Sequence, residues 1–123
     1  MHSEEVIKAG GAYGGGLAGH GEVCGILIGA LGILGLMFSR SKKEEKVDPR
    51  MWSCARDLMK HFRENIVKAH GGITCREIVN IDWTNPDQIR SYYKGEHGKI
   101  LECQRILADT LEFLEELVVR SHN

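Results

Sequence analysis

Proline is scarce in this chain of 123 residues, with two, and aromatics are few: three Phe, three Tyr and two Trp. Strands draw on aromatic and β-branched residues, so this composition is poor material for a β-sandwich and favours helices. An excess of one charge is also missing. Sixteen Lys and Arg stand against seventeen Asp and Glu, a formal net charge of -1. A dedicated nucleic-acid binder normally carries a basic excess, so no nucleic-acid partner is expected. The four cysteines, Cys24, Cys54, Cys75 and Cys103, form no C-x-x-C pair. That removes the common zinc-ribbon and thioredoxin signatures. With no C-x-x-C-H either, no haem is expected. The opening Met-His-Ser-Glu-Glu lacks the basic region of a secretory signal. The expected localisation is cytoplasmic, where cysteines rest as thiols, metal ligands or transient disulfides.

What is present is ordinary globular material, 42% apolar and 27% charged. The length suits one domain over 1–123 with its own core. Glycine is concentrated: eleven of the fifteen fall between Gly10 and Gly35. Residues 1–21 thus form a glycine-rich N-terminal segment, and 39–48 a charged linker. Gly14 to Gly19 spells G-x-G-x-x-G, but no β-branched strand precedes it, which excludes a dinucleotide fingerprint. Val23 to Phe38 runs sixteen residues without a charge. A membrane span needs about 20 such residues, so no membrane insertion is expected. The alternative is a central helix over 22–38, buried on all sides. Gly25, Gly29 and Gly32 share one face of it and weaken it, so packing by a neighbour must hold it.

Other helices follow from capping signals. Residues 3–9 suit one short helical turn. Asp48-Pro49 opens a helix to about Ala69, with Met51, Ala55, Leu58, Phe62 and Ile66 inward. Thr74 with Glu77 makes a capping box for a short helix near 74–80. Asn85-Pro86 starts another, to about Tyr93. The chain from Lys99 to Val119 is the clearest amphipathic helix, with Leu107, Leu111, Leu114 and Val118 inward. The fold class is therefore all-α, a small bundle of four or five helices.

The chemistry-bearing candidates are thiols. Cys24 sits in the first turn of the apolar helix, where amides and the helix dipole lower a thiol's pKa. Cys75 follows a cap and neighbours Arg76, which also favours thiolate. Each can equally be a small buried residue. Cys103 faces the interior of the last helix, and Cys54 reads as core filler. Gly16, Gly19, Gly21 and Gly25 provide bare backbone for a bound group. His20, between glycines, suits an exposed loop or a ligand; His61 and His70 suit a helix surface.

These residues carry a resemblance. Gly14 to Gly25 with Gly29, then Gly71 to Val79, then Cys103, resemble the C_GCAxxG_C_C family of putative redox-active proteins across nearly the whole chain. Cys24 corresponds to the cysteine of that family's central motif, Cys75 and Cys103 to its two later ones. The central motif here has Ile26 at the family's small position. The family's N-terminal helix and first cysteine have no counterpart. The resemblance implies cysteine-based redox or metal chemistry, as in an iron–sulfur cluster for electron transfer. Cys24, Cys75 and Cys103 would then be metal ligands, with the fourth drawn from Cys54, His20, a second subunit or the family's N-terminal cysteine. The alternatives are a metal-free dithiol/disulfide protein, in which the same three would be the redox thiols, and a non-redox helical interaction module. A homodimer is an open expectation, and the redox partner protein is unspecified.

Overall fold

The computed structural model describes residues 3–122. Among them are six α-helices and no strand: α1 (Glu4–Ala9), α2 (Gly25–Phe38), α3 (Arg50–His61), α4 (Cys75–Ile78), α5 (Pro86–Tyr93) and α6 (Lys99–Ser121). Helix α4 is the short one expected after Thr74, and α1, expected as one helical turn, brings the count to six. Helices α2, α3 and α6 pack against one another and enclose the core. Leu27 and Leu34 of α2, Leu58 of α3 and Ile106 of α6 are buried there beside Phe62.

Local signals set the helix starts. The Asp48 carboxylate accepts from the Arg50 amide at 2.9 Å, capping α3. Thr74 accepts from the Glu77 amide at 3.2 Å and donates to its carboxylate at 2.6 Å. Asn85 accepts from the Asp87 and Gln88 amides ahead of Pro86.

Three expectations need correction. First, α2 is not buried on all sides. Leu27, Ala30, Leu34 and Phe38 form its buried face, while Leu36 is 49% exposed. Added Cβ atoms at Gly29, Gly32 and Gly35 would meet open space. At Gly29 and Gly32 the glycine face therefore borders a cleft instead of a close-packed helix, and Gly35 lies beyond that cleft. No helix among the described residues is long and apolar enough to cross a membrane. Second, α3 does not continue regularly to Ala69. It widens into a π turn over Phe62–Ile66, with the Val67 amide bonded to the Phe62 carbonyl at 2.9 Å. The extra residue lets Phe62, Ile66 and Val67 all enter the core. Third, the inward face of α6 is rotated by about one residue. Ile106, Thr110, Leu114 and Leu117 are buried, while Leu107 and Leu111 are about half exposed at 45% and 47%.

His70 is not a plain surface residue. Its Nε2 donates to Glu102 on α6 at 2.5 Å, and Arg105 grips the same carboxylate. Arg105 also donates to the Ile66 carbonyl at 2.9 Å, fastening the π turn to α6. The Arg105 guanidinium first, then His70, hold the Glu102 carboxyl at about 2 against the opposing effect of desolvation. A carboxyl held that low stabilises the fold fully above its unfolded value of about 4.3. The contribution is lost as pH falls toward 2. The urea midpoint is therefore expected to drop between about pH 4.5 and pH 2, and to drop less steeply in Glu102→Gln. Equal slopes in the two proteins would remove this linkage.

Candidate functional site

The site is built from three separated segments. Val23 and Thr74 form an isolated antiparallel bridge. The Cys24 amide donates to the Ile73 carbonyl at 2.9 Å and the Cys75 amide to the Glu22 carbonyl at 2.7 Å. This bridge is why α2 starts at Gly25 and not at 22. It also sets Cys24 and Cys75 as diagonal neighbours across the pair. Cys103 comes to them on the first turns of α6.

All three line one cleft of about 800 Å³ with mostly apolar walls. All are half-buried free thiols. They are near enough that the charge of one disfavours the charge of another.

Burial reverses the thiolate tendency expected from local sequence. Desolvation pushes the Cys24 thiol up, over the downward pull of the Ile26 and Leu27 amides at the start of α2. Desolvation likewise raises Cys75, over the favourable effect of Trp83, with Cys24 and Cys103 adding to the rise. Arg76 does not offset this, because its guanidinium turns to Glu22 at 3.1 Å and to the His20 carbonyl at 3.3 Å. Without a cation beside them, Cys24 and Cys75 are held toward the protonated thiol, a weak nucleophile.

The glycine segment forms the wall facing these thiols. Gly15 through Gly19 all have positive φ, Leu17 and Ala18 included at 65° and 54°. Each such non-glycine residue costs about 1–2 kcal/mol. The turn is fastened by bonds from the Gly21 amide to the Gly15 carbonyl and from the Glu22 amide to the Gly16 carbonyl. Gly16 is the closest approach: a Cβ there would stand 2.6 Å from the Cys75 Cβ. Gly19 and Gly25 also border the cleft.

Other sequence candidates lie elsewhere. Gly21 faces Arg76 and borders a second, smaller cleft together with His20. The His20 Nδ1 is paired with the Ala18 carbonyl at 2.9 Å. Cys54 is buried within the core, 7% exposed, on α3. Of the fourth-ligand alternatives named from sequence, Cys54 and His20 both sit away from the cleft that holds Cys24, Cys75 and Cys103.

Two aromatic residues in the cleft had no part in the sequence reading. Trp83 packs edge-to-face with Tyr92, centroids 5.3 Å apart. Burial first, and then the neighbouring Cys103 side chain, push the Tyr92 hydroxyl pKa strongly up. Trp83 falls in a polar turn, where its only sequence signal was a large aromatic without an obvious packing partner.

The donor set suits a thiolate-held iron–sulfur group in its chemistry. Among the described residues, no three His, Cys, Asp or Glu side chains are gathered to hold a single metal ion. Three sulfurs face one cleft with mostly apolar walls. Iron–sulfur clusters are commonly held by four thiolates, one more than this cleft gathers.

Comparison with known proteins gives no match among curated proteins and none among solved structures. The model of the family described as putative redox-active protein (C_GCAxxG_C_C) matches residues 1–117, and the chain belongs to that family.

Proposed function

We propose that Cys24, Cys75 and Cys103 form a one-electron redox centre by ligating an iron–sulfur cluster in the glycine-walled cleft. The observation that carries this reading is the sorting of the four thiols. Three from distant segments share one cleft, and the fourth is sealed in the core. A bound cluster supplies a couple that takes one electron from a donor and passes it to an acceptor. The thiols bring three negative charges to it once deprotonated. The raised pKa values of Cys24 and Cys75 favour a cationic occupant, since a metal offsets both desolvation and mutual repulsion. The apolar walls limit water around the sulfurs, and the glycine turn allows backbone close approach.

The test is anaerobic reconstitution with ferrous iron and sulfide. The expected product is brown, with visible absorption that bleaches with dithionite and returns on reoxidation. A colourless product free of iron and sulfide would overturn the proposal and leave thiol–disulfide cycling as the redox chemistry to examine.

A further inference from the structure

The Trp83 indole has an unfinished bond. Its Nε1 is buried and has no hydrogen-bond partner that meets ordinary geometry. Indole nitrogen is a donor only, and buried donors without partners are costly and rare. The ring's position is nevertheless strongly fixed. An added Cβ at Gly15 would lie 3.0 Å from the Trp83 Cγ and 3.1 Å from its Cδ1. Cδ1 is bonded to Nε1, so the donor edge of the ring rests on Gly15. The next residue, Gly16, abuts Cys75. An added Cβ at Gly19 would lie 3.1 Å from the Trp83 Cβ, and Tyr92 closes the ring from the edge. Two positive-φ glycines thus seat an indole whose donor edge neighbours a thiol.

We propose that Trp83 is a positioning residue whose Nε1–H donates to the Cys75 sulfur when Cys75 is a bound thiolate, tuning the centre's reduction potential. This rests on the reading of Cys75 as a ligand. A thiol sulfur is a weak acceptor and a thiolate a strong one, so a ligating Cys75 would give this buried donor its partner. A donor to a ligating sulfur stabilises the more negative, reduced state more than the oxidised one. Removing it lowers the potential without removing a ligand.

The experiment uses a Trp52→Phe background, so that position 83 holds the remaining indole. Trp83→Phe removes the N–H. A second variant places benzothienylalanine at position 83, keeping the ring shape without the N–H, because the smaller phenyl ring could unseat the loop. Both are reconstituted with iron and sulfide and titrated potentiometrically. The expected result is unchanged iron content and a preference for the reduced state weakened about tenfold, or about 59 mV for one electron. An independent readout is the indole N–H proton resonance, expected to move on reconstitution of the Trp52→Phe protein. An unchanged potential in the loaded benzothienylalanine variant, or an unmoved resonance, overturns the donor role alone. Failure of the Trp52→Phe protein to take up iron overturns the ligand reading itself, and the proposal with it.

Discussion

Cys24→Ser, Cys75→Ser and Cys103→Ser are each expected to lose the reconstituted iron, the sulfide and the visible band, while Cys54→Ser keeps all three. A serine hydroxyl is a far poorer ligand than a thiolate for an iron–sulfur group. The three cleft residues therefore fail by chemistry, with little change in fold. Cys54 is different because it is packed in the core between helices. A hydroxyl buried there without a partner costs about 1–3 kcal/mol. Cys54→Ser should thus lower the urea midpoint while retaining iron. Iron analysis and urea titration on the four variants separate the two effects. Iron retained at wild-type level in all three cleft variants would remove the ligand assignment. Iron lost from Cys54→Ser, with its fold intact, would mean that the sorting of thiols has been misread.

Gly16→Ala is the second large effect. The added Cβ would stand 2.6 Å from the Glu22 amide nitrogen and 2.7 Å from its carbonyl oxygen, as well as against Cys75. These are backbone atoms tied into the bridge, since the Glu22 carbonyl receives the Cys75 amide. They have nowhere to go without breaking that bond. The position is also left-handed, at φ 71°. Overpacking costs about 1–3 kcal/mol and the left-handed alanine about 1–2 more. Destabilisation of about 2–5 kcal/mol is expected, with loss of reconstituted iron. Gly35→Ala is the control. That glycine is helical, outside the cleft, and an added Cβ meets nothing within 4 Å. Alanine there should stabilise by about 0.5–1 kcal/mol. Chemical denaturation measures both. Equal effects at the two positions would contradict the close approach of the glycine turn to Cys75.

Much of the helical framework was legible because capping is local. Thr74 with Glu77 and Asn85 with Pro86 announce their helices within four residues. The positions of Cys24 and Cys75 at helix starts were readable for the same reason. Their protonation was not. Burial by elements remote in sequence overrides the nearby amides, and Arg76 turns away to Glu22. The face of α6 was misread because two stripes fit the same period. Thr110 looks like a surface residue, yet it is fully buried and its hydroxyl has no partner. The π turn at Phe62 has no distinctive composition. Trp83 stayed hidden because its seat, Gly15 and Gly19, lies more than sixty positions away. Glycines that invited a search for a bound phosphate or cofactor turn out, in part, to hold a tryptophan.

The convergence of Cys24, Cys75 and Cys103 on one group is tested most directly by anomalous diffraction at the iron edge, on crystals grown anaerobically from reconstituted protein. The expected result is iron density inside the glycine-walled cleft, bonded to the sulfurs of all three residues, with Cys54 untouched in the core. Iron bound elsewhere, or a cleft without iron in which two of the three sulfurs are joined as a disulfide, would contradict it.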